Sequence, residues 1–266
     1  IDMDLQLTGK TALVSGSTAG IGLAIAKELA QEGANVTING RTAERVQHAM
    51  EEIGAAHPKG KIGGVAADLA TAAGTEVLFQ QLPQVDILIN NLGIFEPKEF
   101  SEISDAEWVR FFEVNVLSGV RLSRHYLPGM VRKNWGRIIF ISSESALQIP
   151  VEMIHYGMTK TAQLAIARGL AESVAGTGVT VNSVLPGPTR SEGVGGFVND
   201  MARRRKTSAE KVEKEFFEKA RPSSLLQRFA TVEEVAAMVT YVASPRSSAT
   251  NGASLRVDGG VLRSIA

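Results

Sequence analysis

The chain of 266 residues has no cysteine. That excludes disulfides, thiolate nucleophiles and thiolate metal sites. It has no net charge either, with 28 Lys and Arg against 28 Asp and Glu. Proteins that hold nucleic acid or anionic membranes by general charge are basic, so this balance argues against both partners. No apolar run reaches the length of a membrane span. The four His are scattered without metal-ligand spacing, so no metal site is expected. The opening Ile1-Asp2-Met3-Asp4 lacks the basic and apolar pattern of a secretory leader. With the missing cysteine, this sets the expectation of a cytoplasmic protein. What remains is ordinary for a globular protein with a sizeable core: 44% hydrophobic and 21% charged residues.

Short apolar runs alternate with helical patterns along the chain. Strands are expected at 10–15, 35–39, 62–67, 86–90, 137–143, 179–184 and 254–257. Helices are expected at 23–31, 42–53, 71–81, 104–133, 149–174 and 231–243, with Ser104-Asp105-Ala106-Glu107 as a capping box. Such alternation requires crossovers between parallel strands. The expected fold is therefore α/β: a single domain over 1–266, a doubly wound parallel sheet (the Rossmann arrangement) of about seven strands with helices on both faces. One insertion, at about 190–222, interrupts the rhythm. It holds a glycine-rich part and a charged helix, and a long insertion in a compact domain reads as a substrate lid.

The first strand runs into Gly16-Ser17-Thr18-Ala19-Gly20-Ile21-Gly22 and then a helix. Glycine lets backbone turn tightly and approach a pyrophosphate, and a helix N-terminus offers free N–H groups and positive dipole. The spacing is GxxxGxG rather than GxGxxG, but the mechanics are the same. At the end of the second strand stands Asn39-Gly40-Arg41-Thr42. An NAD site usually places a carboxylate there for the ribose 2′-OH. Here there is none, and the Arg41 guanidinium suits a 2′-phosphate. NADP(H) is thus favoured, with NAD as the alternative. Asp68, next to Leu69 after the third strand, is placed to meet an adenine edge. Asn90 ends the fourth strand, where it reads equally well as a turn former.

Tyr156 and Lys160 lie four apart, hence on one helical face. A nearby ammonium favours phenolate, so the Tyr can serve as a proton donor or acceptor near working pH. The motif by itself is weak, and an aromatic beside a solvated Lys is the commoner case.

Taken together, these pieces resemble the short-chain dehydrogenase/reductase family of the classical type, over nearly the whole chain. Ser15-Gly16-Ser17-Thr18-Ala19-Gly20-Ile21-Gly22 matches its TGxxxGIG, and Asn90-Asn91-Leu92-Gly93 its NNAG. Asn115, Ser143, Tyr156-Gly157-Met158-Thr159-Lys160 and Pro186-Gly187 continue the series. Ser15 stands for Thr, and Leu92 for Ala. The resemblance implies a tetrad: Tyr156 as general acid or base, Lys160 lowering its pKa and holding the nicotinamide ribose, Ser143 binding the substrate oxygen, and Asn115 holding a water beside Lys160. It implies that Pro186, Gly187 and Thr189 wrap the nicotinamide, with Gly93 close to the cofactor. It also implies a homotetramer, or a homodimer, built through 104–133, 149–174 and the last strand.

A Ser-His hydrolase on Ser143 and His155 is disfavoured because no GxSxG elbow surrounds Ser143. The run Arg203-Arg204-Arg205-Lys206 reads as a solvated face or, alternatively, as a contact for a phosphate-bearing thioester. Glu144, Gln148, Glu152 and Met153 are candidates for the pocket wall. The expected activity is hydride transfer between NADP(H) and a small-molecule carbonyl or secondary alcohol. Within the family the nearest likeness is to 3-oxoacyl-carrier-protein reductases. Two alternatives remain: an NAD-dependent dehydrogenase oxidising a sugar alcohol, hydroxy acid or steroid-like alcohol, and a non-catalytic dinucleotide sensor.

Overall fold

A computed structural model describes residues 3–56 and 58–265; Ile1 and Asp2 fall outside it. Seven strands form one sheet: β1 (Thr11–Val14), β2 (Asn35–Gly40), β3 (Ile62–Ala66), β4 (Ile87–Asn90), β5 (Gly136–Ile141), β6 (Val179–Pro186) and β7 (Ser254–Val257). Their order is β3-β2-β1-β4-β5-β6-β7, and every pairing is parallel. The winding reverses between β1 and β4, where Val14 pairs with Ile38 on one side and Ile89 on the other. In open α/β sheets this switch point opens a crevice at the carboxyl ends of the strands.

Helices cover both faces. On one lie α1 (Gly20–Gln31), α2 (Ala43–Ala55) and α9 (Val232–Ala243), with Ile25, Leu29, Val46, Val235 and Val239 in the core beneath them. On the other lie α3 (Ala72–Gln81), α5 (Ser118–Arg132) and α6 (Ile154–Ser173), burying Leu78, Leu122, Tyr126, Met130 and Ala171. The strands between are apolar toward both sides, as buried parallel strands must be.

Several expected boundaries move. β5 stops at Ile141, so Ser142 and Ser143 lie in the turn beyond it, while β6 runs on to Pro186. α6 begins at Ile154, after a 3₁₀ turn at Val151–Met153. The cause is Pro150, which biases Ile149 away from helix. The helical region from Asp105 is α4 (Asp105–Phe112), one π turn (Glu113–Leu117) and then α5, without a break. In the insertion, the glycine-rich part is itself helical: α7 (Glu192–Arg205) starts at the Ser191 cap and α8 (Ala209–Lys219) at the Ser208 cap. These two helices close a small core of their own around Val198, Ala202, Val212, Phe217 and Phe229.

Candidate active site

The glycine turn is the first wall of the crevice. Gly16 and Gly20 have φ of +61° and +59°, a region that disfavours residues with a Cβ. A Cβ on Gly22 would stand 2.4 Å from Asn91 Nδ2 and 2.6 Å from the Gly16 carbonyl. The turn is held by side chains that the motif does not name. Gly16 N donates to Asn39 Oδ1 (3.1 Å), and Asn39 Nδ2 donates in turn to the Val65 and Ala67 carbonyls. Asn91 Nδ2 reaches both Ser15 O and Gly16 O at 3.0 Å. Ser17 is buried and donates to Val14 O at 2.7 Å. Helix α1 has Ala19 at its N-cap, with no side-chain cap. Its first N–H groups therefore face the crevice without a side-chain acceptor, which suits an anion.

The remaining predicted cofactor positions distribute around this turn. Thr18 fits against Gly40, whose Cβ would lie 2.4 Å from the Thr18 methyl. Arg41 follows directly and is exposed. Ile21 lines the crevice. Asp68 is exposed, its carboxylate accepting from Ala70 N, whereas the Leu69 side chain is buried in the core. The Asn90 side chain turns inward to Ser123 Oγ at 3.2 Å, which leaves its backbone rather than its amide at the crevice. Gly93 is the closest approach: a Cβ there would meet Lys160 Nζ at 3.4 Å and Asn115 Oδ1 at 3.6 Å. Pro186 ends β6. Gly187 lies hard against Asp258, and Thr189 donates to the Gly187 carbonyl at 2.9 Å.

The four tetrad residues come together from three segments. Tyr156 and Lys160 share one face of α6, the ammonium 5.5 Å from the centre of the Tyr156 ring. Ser143 sits just beyond β5, and Asn115 in the π turn. Ser142, its neighbour in sequence, gives its hydroxyl to the Lys160 carbonyl (2.9 Å), whereas Ser143 is hydrogen-bonded with Tyr156. Burial pushes the Tyr156 phenol up, while a hydrogen bond with Ser143 acts in the opposite direction. Burial also brings Lys160 down to about 8. Its ammonium donates to Ile141 O (2.9 Å) and Gln163 Oε1 (3.4 Å). Asn115 is tied by its side chain to the Ile94 backbone and Thr159. Its own carbonyl accepts from Gln163 Nε2 at 2.6 Å. The family resemblance expects Asn115 to hold a water beside Lys160; here Gln163 joins the two. Gln163 lies three residues past Lys160 with no motif to mark it.

Ser143, Tyr156 and Lys160 open into a cavity of about 630 Å³. Its outer wall is apolar, from Phe95, Val194, Val198, Met201, Phe216 and Phe229. Glu144, Glu152 and Met153 line it as expected, whereas Gln148 is exposed outside it. The insertion adds Arg221, whose Nε donates to buried Glu144 at 3.1 Å. In the basic run, Arg203 pairs with Asp200 and Arg205 with Glu215. Among the described residues no cluster of His, Asp and Glu could hold a metal ion, and no helix is long and apolar enough to cross a membrane.

A reversing parallel sheet, a glycine turn into an uncapped helix, and a Tyr-Lys pair beside a strand-end Ser define the class of the molecule: an NAD(P)-dependent oxidoreductase. The sequence model for short chain dehydrogenases matches residues 10–202, and the chain belongs to that family. It is similar to the uncharacterized oxidoreductase YvaG of Bacillus subtilis, with 52% identity over 99% of this chain and all of that protein. The 3-oxoacyl-[acyl-carrier-protein] reductase FabG of Aquifex aeolicus is 33% identical over 97% of this chain and all of its own length. Among solved structures, L-sorbose reductase from Gluconobacter frateurii, complexed with NADPH and L-sorbose, superposes with a TM-score of 0.92. It is 28% identical and covers 99% of this chain and 100% of its own.

Proposed function

We propose that the protein reduces a small-molecule carbonyl with NADPH, Tyr156 giving the proton. The observation that carries this reading is the convergence of Ser143, Tyr156 and Lys160 with Gly93 at the floor of one cavity. The residues fit a nicotinamide dinucleotide. The uncapped α1 and the turn at Gly16, Gly20 and Gly22 suit its pyrophosphate, and Gly93, Pro186, Gly187 and Thr189 border the place for its ring. When bound, the cofactor supplies the hydride. The protein supplies the proton: the Tyr156 hydroxyl is kept protonated by burial, and Ser143 beside it is the group to hold the substrate oxygen once its hydroxyl turns from Glu144. Lys160, held by Ile141 O and Gln163, sets a positive charge beside the phenol. Asn115 fixes the Gly93-Ile94 backbone and the amide of Gln163.

Preference for NADPH rests on Arg41 beside the Thr18–Gly40 contact, with no carboxylate at the end of β2. L-sorbose reductase, complexed with NADPH, supports it by likeness. In this reading α7 and α8 form the lid of a single domain. Assembly as a homotetramer through α4–α5 and α6 accords with the exposed Val109 and Phe112 on α4. Fluorescence titration with NADPH and NADH tests the cofactor. Tight NADPH and weak NADH are expected; preference for NADH would move the reading to NAD-linked alcohol oxidation. Loss of carbonyl reduction in Tyr156→Phe tests the chemistry.

A further inference from the structure

One feature of the cavity is unexplained by hydride transfer to a simple ketone. Glu144 directly follows Ser143 and is buried, and Arg221, delivered from the end of α8, is buried against it. Burying an ion pair costs several kcal/mol of desolvation per ion, and apolar side chains of like size would often serve stability as well. Much of the outer wall is apolar, so a charged pair buried at the reacting end calls for a use.

The hydrogen bonds suggest one. Glu144 Oε2 accepts from Ser143 Oγ at 2.5 Å, from Ser145 N at 2.8 Å and from Ser145 Oγ at 3.2 Å. A serine hydroxyl has one hydrogen to give. While Ser143 gives it to Glu144, it has none for a substrate carbonyl. A substrate hydroxyl that donates to Glu144 in its place would free Ser143 to turn to the carbonyl oxygen. A guanidinium at the same spot suits the oxygen of that hydroxyl. Arg221 donates through Nε to Glu144 and through Nη1 to Ala220 O, and among the described residues its Nη2 makes no hydrogen bond. A hydroxyl is both donor and acceptor, so it matches a carboxylate and a guanidinium set side by side.

Charge narrows the class further. Glu152 is a second carboxylate, 3.6 Å from Arg221 Nη1, so two acids face one base at this end. Arg221 is thus already engaged by two acids, and a carboxylate substituent on the substrate would have to displace one of them. Farther out, Arg205 is paired with Glu215 at 3.1 Å and Lys219 also lines the wall, which is otherwise mainly apolar.

We infer that Glu144 and Arg221 seat a hydroxyl adjacent to the reacting carbonyl, making a neutral hydroxy ketone with an apolar body the preferred substrate class. This rests on the reductase reading above. The seat couples selectivity to catalysis, because the substrate's own hydroxyl releases Ser143. Arg221 comes from the insertion, so the seat is complete only with α8 docked on the catalytic turn.

The test is NADPH oxidation by the wild-type protein with three matched carbonyls: 1-hydroxy-2-heptanone, 2-heptanone and 2-oxoheptanoate. The expected kcat/KM for the hydroxy ketone exceeds that of the plain ketone by about tenfold or more, as one hydrogen bond to a charged group allows. The keto acid is the poorest of the three. In the double variant Glu144→Leu/Arg221→Met the ratio of hydroxy ketone to ketone falls to near one, whatever the absolute rates. A wild-type ratio near one overturns the proposal without a variant having to fold. So does an unchanged ratio in the double variant, and preference for the keto acid would make Arg221 a carboxylate receptor instead. No oxidation with any of the three would remove the reductase reading, and this inference with it.

Discussion

Gln163 joins two residues that the chain keeps apart: its Nε2 donates to the Asn115 carbonyl at 2.6 Å, and its Oε1 accepts from Lys160 at 3.4 Å. One buried amide thus ties the π turn to the Lys160 ammonium. In Gln163→Leu both partners lose a hydrogen bond where no solvent replaces it, a cost of about 1–3 kcal/mol. The expected result is a roughly tenfold fall in kcat, with the cofactor Kd nearly unchanged.

The pH dependence separates positioning from mere packing. Burial sets Lys160 at about 8, so the ammonium is present below that pH and lost as pH rises through it. Reduction that needs this charge falls over the same window. Among the described residues Tyr156 is the only titratable side chain in ring contact with Lys160, and Glu144 and Arg221 act on that phenol from the cavity side. Gln163→Glu places a carboxylate beside Lys160 and must move the falling limb to higher pH. A limb that stays in place would show that Gln163 does no more than fill space. The same depressed value bears on stability. The unfolded chain binds this proton more readily, so stability rises with pH from about 8 toward the ordinary lysine range.

Tyr156→Phe keeps the ring and removes the proton. In the proposed role of general acid the phenol would contribute about 10²–10⁴ in rate. Stopped-flow or steady-state turnover should fall by that order while NADPH titrates as before. Retention of most activity would refute Tyr156 as the donor.

If Arg41 reads the 2′-phosphate as proposed, Arg41→Ala removes a charge-assisted contact worth about 1.5–3 kcal/mol. NADPH affinity should weaken by roughly ten- to hundredfold. NADH affinity should hardly change, because NADH carries no 2′-phosphate. Equal effects on both cofactors would remove Arg41 from the site.

Asn39→Ala tests the support of the glycine turn. It unties Gly16 N and the carbonyls of Val65 and Ala67 at once, in a buried setting. A loss of about 1–3 kcal/mol in unfolding free energy is expected from denaturant titration. Weaker binding of both cofactors should accompany it. A variant as stable as wild type would show that the turn holds itself.

The sheet and the glycine turn were legible in the sequence because each depends on neighbours in the chain. Apolar runs such as 86–90 declare a buried strand, and Gly16, Gly20 and Gly22 declare the turn that follows Val14. The tetrad was legible only as a resemblance, since Ser143, Asn115 and Tyr156 meet through packing. Three site-shaping residues carried no local sign. Gln163 finds its carbonyl 48 positions away, Arg221 finds Glu144 77 away, and Asn39 reaches Gly16 across 23. The helical form of 192–205 was obscured by its glycines. It is set by the Ser191 cap and by packing of Val198 and Ala202 on α8, which outweigh propensity. The onset of α6 was misread because Pro150 acts on the residue before it.

The π turn at Glu113–Leu117 is a helix with one residue more than its turns require. The surplus rotates everything before it relative to everything after, by about the 100° that one helical residue subtends. Upstream, Phe111 faces His155 on α6; downstream, Leu122, Tyr126 and Met130 face the sheet. One continuous rod thereby serves two surfaces without a loop between them. Deleting a single residue there would let ordinary α-helical bonds replace those of the π turn yet put Asn115 out of phase with Ile94 and Gln163. The site is set, at this point, by a count rather than by a side chain.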